Sequence, residues 1–180
     1  ETLAELHIMP DRIQTVIDRG ERVRLIARWM DSRSVLFLGR HVGYPIAMEG
    51  ALKLKELAYI HAEGFPAGEL KHGPIALVEP GLPVFVIVPS PRSQAVLHGK
   101  VISNIQEIRA RGARTLVIAE DGDDAVLPYA DEVFWVPQTD PLLAPLVTVV
   151  PLQVFACELA TARGLDVDQP RNLAKSVTVE

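Results

Sequence analysis

Three charged residues, Glu49, Lys53 and Glu56, stand four and then three positions apart in the segment 45–59. At about 100° per residue that spacing puts them within roughly 60° of one another on a helix. The remainder of the segment, from Ile46 to Tyr59, is apolar on nearly every side, as in a largely buried helix. Two readings are open. The stripe can be solvated, with Glu49 and Lys53 as an ordinary helix-supporting pair. It can equally be a partly buried acid–base set, in which a carboxylate beside a lysine and apolar neighbours is tuned for proton transfer. Lys55 points elsewhere on the wheel and reads as peripheral.

A Gly- and Pro-punctuated connection, 60–74, follows and carries His72 between Lys71 and Gly73-Pro74. Long connections in compact domains are often functional. A histidine on such a turn can move protons near neutral pH, or can be a plain surface residue. His61 reads as a helix-end residue favoured there by the helix dipole. Lys175, taken alone, reads as a solvated tail lysine. The spacings of His, Cys and carboxylates suggest no metal site.

These side chains need elements to hold them. Short apolar runs at Ser34–Gly39, 83–88, 115–119 and 132–136 read as buried strands. Residues 1–30 read as helical, with Pro10 in the first turn of a helix over 11–19 and a second helix over 22–30. Helices over 45–59, 93–111 and 142–163 alternate with the strands. That alternation predicts the α/β class: a three-layer α-β-α sandwich around a mostly parallel sheet. Residues 1–164 form one domain, and 165–180 form a turn-rich tail.

The bulk numbers narrow the function. A length of 180 residues suits one domain, and 48% hydrophobic residues suffice for a sizeable core. With only 6% aromatics, aliphatic packing should dominate. A net charge of -5 without a basic face argues against nucleic acid and against an anionic membrane surface. The single cysteine, Cys157, lies in an apolar run and is expected to be a small buried hydrophobe. A lone cysteine also points to an intracellular, cytoplasmic setting. The uncharged stretch between Asp140 and Glu158 is short and broken by prolines, so it reads as a core helix and not a membrane span. A chain that starts at Glu1 and not at Met suggests a piece of something longer.

Three motifs carry a resemblance: Glu49-Gly50-Ala51-Leu52-Lys53-Leu54-Lys55-Glu56, then Glu69-Leu70-Lys71-His72-Gly73-Pro74, then the block from Asp166 through Pro170-Arg171-Asn172-Leu173-Ala174-Lys175 to Glu180. In order and over the whole chain, these resemble the glucosamine-6-phosphate synthase family (glutamine:fructose-6-phosphate aminotransferase, isomerising). The match is to its second sugar-isomerase (SIS) domain, a Rossmann-like fold, and its C-terminal tail. The resemblance implies that Glu56 moves a proton from carbon-1 to carbon-2 of the sugar and that Lys53 stabilises negative charge on oxygen. It implies that His72 opens the sugar ring in a neighbouring subunit's site and that Lys175 forms a Schiff base with the open-chain ketose. Glu49 and Ala174 would contact substrate, and Ala174 and Val177 would line an ammonia path. No metal or cofactor is implied. The partners implied are fructose 6-phosphate and glucosamine 6-phosphate, a first SIS domain and a glutaminase domain absent from this chain, and a second copy in a homodimer.

One departure stands out. SIS domains that grip phosphosugars carry a Ser/Thr-rich turn at a helix start. Neither 39–43 nor 89–93 has one; Ser90 and Ser93 read as a turn residue and a helix cap. The chain alone should therefore bind fructose 6-phosphate poorly and should not hydrolyse glutamine. Two other readings compete: a non-catalytic SIS module that senses a phosphosugar, and a stand-alone phosphosugar isomerase. A sensor needs the phosphate turn and not Glu56, His72 and Lys175, which is the reverse of what is present.

Overall fold

The computed structural model describes residues 2–173. Five parallel strands form one sheet in the order β2-β1-β3-β4-β5. They are β1 (Ser34–Gly39), β2 (His61–Pro66), β3 (Pro83–Ile87), β4 (Arg114–Glu120) and β5 (Glu132–Val136). The helices are α1 (Thr2–His7), α2 (Met9–Asp18), α3 (Glu21–Trp29), α4 (Gly43–Lys53), α5 (Ala95–Arg109), α6 (Ala144–Thr148) and α7 (Val150–Ala162). The predicted α/β sandwich is what forms. All four strands expected from sequence are present; β1, β3 and β4 are buried on both faces or nearly so, and β5, at the edge, is buried only in part.

Alternation along each strand builds two cores. Val35 and Phe37, Phe85 and Ile87, and Leu116 and Ile118 face α2, α3, α4, α6 and α7. Leu36 and Leu38, Val84 and Val86, and Val117 and Ala119 face α5 and the segments around Ala67 and Leu70. Four of the five phenylalanines, Phe37, Phe85, Phe134 and Phe155, lie in the first core. Phe37 stacks on Phe85 at 5.0 Å, and Phe85 meets Phe155 edge-on at 4.8 Å. Aliphatic residues thus fill the volume while phenylalanines mark its middle.

Four expectations need correction. The connection 60–74 contains the edge strand β2, paired in register with β1 from Ser34↔His61 to Gly39↔Pro66. With His61, Glu63, Gly64 and Pro66 it lacks the apolar run that marks a buried strand, and an edge position tolerates that. The expected helix 142–163 is divided around Val149, with a proline in the first turn of each piece. Its 144–162 stretch is long and apolar enough to cross a membrane by length and composition, yet half of that window is buried against the protein. Cys157 is exposed and not buried. It lies two residues from both Phe155 and Leu159, hence about 200° from the buried face of α7. Lastly, Gln94 and not Ser93 takes the capping position of α5. Ser90 does act as a turn residue, its Oγ accepting from the Arg92 and Ser93 amides at 3.3 and 3.5 Å.

Candidate functional site

Helix α4 leaves the carboxyl edge of β1 and runs back across the sheet, so its end lies at the amino edge. Two glycines let it lie close. A Cβ on Gly50 would meet Leu152 at 2.7 Å and Phe37 at 2.8 Å. A Cβ on Gly64, in β2, would meet main-chain atoms of Ala47 and Met48 at 2.9 Å. Those contacts bury Ile46, Ala47, Gly50 and Ala51, but Met48 and Leu52 are exposed, so α4 is not apolar and buried nearly all round as its sequence suggested, and the Glu49–Lys53–Glu56 stripe lies on its partly exposed side.

The three groups do come together. Lys53 Nζ donates to Glu56 Oε2 and lies 3.7 Å from Glu49 Oε1. The Lys53 and Glu56 side chains are only 28% and 26% exposed, so this is not the freely solvated stripe of the first reading. Lys53 is held above the ordinary lysine value, first by its hydrogen bond to Glu56. The charges of Glu56 and Glu49 add to that, while burial opposes it. A lysine so placed stays cationic, which suits it to stabilise an oxyanion and not to act as a nucleophile.

The helix does not continue regularly to Tyr59. Leu54–Ala58 is a π-helical turn, and it carries Glu56. Such turns widen the backbone and recur at functional sites. The turn ends at Tyr59, whose φ 54° and ψ 35° are left-handed. For a bulky residue this costs about 1–3 kcal/mol and must be held in place by surrounding contacts. Two are visible. The Tyr59 N–H donates to Leu54 O, and the Tyr59 hydroxyl accepts from the Arg171 amide at 2.8 Å. The Arg171 guanidinium also lies over the Tyr59 ring, 4.0 Å from its centroid.

Between the π turn and the incoming tail is an open cleft of about 540 Å3, lined by Lys55, Glu56, Tyr59, His61, Arg171 and Leu173, among others. Lys55, read from sequence as peripheral, is at the same cleft as Glu56. His72 is elsewhere. It ends the short helical segment Ala67–His72, after the far end of β2, and its Nδ1–H donates to Glu69 Oε2 at 2.7 Å. A six-residue strand, about 20 Å, separates the two ends, and His72 is exposed. Ala174, Lys175 and Val177 lie outside the described residues.

Residues 30–163 match the family model described as SIS domain. The chain belongs to the SIS domain family. It is 70% identical to the glutamine–fructose-6-phosphate aminotransferase [isomerizing] of Leifsonia xyli, over 100% of this chain and 29% of that protein. It is 66% identical to the protein of the same name from Corynebacterium glutamicum, over 99% of this chain and 29% of that protein. Among solved structures, the C-terminal domain of glucosamine-fructose-6-phosphate aminotransferase from Francisella tularensis superposes with a TM-score of 0.82 at 37% identity. That match covers 92% of this chain and 46% of that one. The chain thus spans under a third of the curated relatives it matches.

In this SIS domain the acid–base cleft is not where sheet topology alone would put a ligand. Open α/β sheets bind at the carboxyl ends of their strands, at the switch point between β1 and β3. That crevice exists here and is lined mainly by apolar groups, with Ser90, Gln94, Glu120, Thr139 and Thr148, the two threonine hydroxyls donating to the Pro137 and Ala144 carbonyls. Glu120 is buried, and its Oε1 lies 3.0 Å from Arg92 Nε without the alignment of a hydrogen bond. A buried carboxylate facing the crevice would repel a phosphate there. Tyr59 and Arg171 were not singled out from sequence. Tyr59 reads as one more apolar helix residue, since nothing local marks a left-handed position there.

Proposed function

We propose that this SIS domain is the proton-transfer half of an isomerising aminotransferase that makes glucosamine 6-phosphate from fructose 6-phosphate and glutamine-derived ammonia. The observation that carries this reading is the shared cleft. Glu56, braced by cationic Lys53, lines the same cleft as Arg171, which stands four residues before Lys175 in the sequence. The longer Leifsonia xyli and Corynebacterium glutamicum relatives are glutamine–fructose-6-phosphate aminotransferases [isomerizing] by name, which supports the same activity.

The chemistry follows from the groups. Neutral Lys175 condenses with the C2 carbonyl of the open-chain ketose and releases water. Ammonia then displaces the lysine, leaving a C2 imine. Glu56 takes a proton from C1 and the electron pair moves into a C1–C2 double bond. As that pair moves, the C=N pair passes to nitrogen, which takes up a proton; Glu56 then returns its proton to C2 while the C1 hydroxyl loses its own, replacing the one taken by nitrogen, to give an aldehyde at C1 and an amine at C2. Lys53 stabilises negative charge on oxygen during the transfer. Glu49 tethers Lys53 from its other side.

His72 cannot serve this cleft from within the same chain, because β2 lies between them. We assign it to ring opening in the cleft of a second copy, in a homodimer. The phosphate is held by the first SIS domain of the longer protein, and the glutaminase supplies ammonia. The test is to rejoin the chain to its upstream SIS domain and assay hexose-phosphate isomerisation. Glu56→Gln and Lys175→Ala should each lower kcat by about 10²–10⁴-fold. Undiminished activity in either variant refutes the role assigned to that residue.

A further inference from the structure

We infer that Tyr59 is a positioning residue: its hydroxyl and ring hold Arg171 at the cleft that Glu56 lines and so fix the pivot from which the terminal peptide departs. The inference rests on the functional reading above only for its consequence in catalysis, and not for the anchor itself.

The argument begins at the end of α7. Past Ala162 the chain is tied down in steps. Leu165 donates its amide to Ala160 O at 3.0 Å, and Leu165 and Val167 pack against the core. Asp166 Oδ1 then accepts from the amides of Asp168 and Gln169 at 2.9 and 3.0 Å, turning the chain back. Arg171 follows with two contacts to one side chain. Its amide donates to the Tyr59 hydroxyl, and its guanidinium covers the Tyr59 ring. Nothing further along the described residues makes a side-chain hydrogen bond.

Tyr59 is well suited to hold that point. It ends the π turn bearing Glu56, so the distance from anchor to carboxylate is set by three residues of one hydrogen-bonded turn. Its left-handed backbone turns it out of the helical path and into the cleft that Arg171 and Asn172 share. The two contacts are of different kinds. A hydrogen bond to the phenol fixes the main chain at Arg171, and a cation over the ring face fixes its side chain. From that pivot, covalent geometry confines the Lys175 Cα to within about 14 Å of the Arg171 Cα, four peptide units away. Loosening the pivot enlarges the volume the lysine explores without changing any group that touches substrate. An ångström-scale misplacement of a reacting group is enough to slow chemistry by about 10²-fold.

The test has two arms. In the first, amide hydrogen exchange is followed at Arg171 in the full chain, with and without Tyr59→Phe. Removing the hydroxyl leaves the ring and the cation–π contact but deprives the Arg171 amide of its acceptor. Exchange there should accelerate about tenfold while the amides of β1, β3 and β4 keep their protection. In the second, the chain joined to its upstream SIS domain is assayed for hexose-phosphate isomerisation. Tyr59→Phe should lower kcat about tenfold and Tyr59→Ala about 10²-fold, with KM for fructose 6-phosphate within about twofold of wild type. Arg171→Lys, which keeps the amide and the charge but not the planar stack, should fall between wild type and Tyr59→Ala.

Unchanged exchange at Arg171 in Tyr59→Phe overturns the anchor. Faster exchange with wild-type kcat, or a loss confined to KM, overturns the positioning role. If Glu56→Gln proves fully active, the functional reading fails instead, and the exchange arm still decides whether Tyr59 holds the tail.

Discussion

Replacing Gly64 by alanine should destabilise the chain, although alanine is the better residue for a strand. The intrinsic gain from Gly→Ala is about 0.5–1 kcal/mol. Against it stands the geometry at the α4–β2 contact. The added methyl would lie 2.9 Å from Ala47 C, Ala47 O and Met48 Cα. Normal carbon contacts are about 3.5–4.0 Å, so α4 must retreat by roughly 0.6 Å or more. The obstructing atoms are main chain and cannot rotate away. Overpacking of this kind costs about 1–3 kcal/mol, and a backbone obstruction puts it at the upper end. The net loss is about 2 kcal/mol, or roughly 4–8 °C in Tm for a domain of this size. Gly99 supplies the control. It lies inside α5, and a Cβ there meets nothing within 4 Å. Gly99→Ala should raise stability by up to about 1 kcal/mol, through helix propensity alone. Thermal melts of both variants, followed by circular dichroism and checked by urea unfolding, settle the point. A Gly64→Ala melt at or above the wild-type value would show that the α4–β2 approach does not require glycine.

Two other perturbations follow from charged pairs. Lys53 has its folded-state pKa raised from 10.5, chiefly by the hydrogen bond to Glu56, so its contribution to stability is fully present below that value and fades as pH rises through the higher folded value. The pair is partly exposed, so Lys53→Met should cost about 1 kcal/mol at about pH 8 and less at about pH 11.5, measured by urea unfolding; a cost that grows in alkali contradicts the assignment. His98 Nε2 donates to Asp123 Oδ2 at 2.8 Å, with the two side chains 9% and 2% exposed. His98→Ala strands a buried carboxylate and should cost about 3 kcal/mol, with the His98→Ala/Asp123→Ala double variant losing less than the sum of the singles; strict additivity would show the pair is uncoupled.

Much of the site was legible in one dimension because a helix converts spacing into direction. Glu49, Lys53 and Glu56 share a face by arithmetic, and the ion pairs follow from it. The strands β1, β3 and β4 were legible for a similar reason, since burial on both faces leaves continuous apolar runs, and the partly buried β5 carries such a run too. β2 was not, because an edge strand can be polar and its pairing with β1 is supplied by a partner 27 positions away in register. Cys157 was misread because an apolar run says nothing of which side of a helix faces out, and the side was chosen by how α7 docks on α3.

From sequence alone came the residue types capable of the chemistry, the order of elements and the charged stripe. Those depend on local periodicity and on motif identity, which the chain carries at every position. Tertiary structure alone decided that the stripe is partly sheltered, that a π turn and a left-handed tyrosine end its helix, and that Arg171 returns to that tyrosine. It also put His72 at the opposite end of β2 from Glu56. Those outcomes depend on contacts such as Tyr59 with Arg171, separated by 112 residues, which no local pattern encodes.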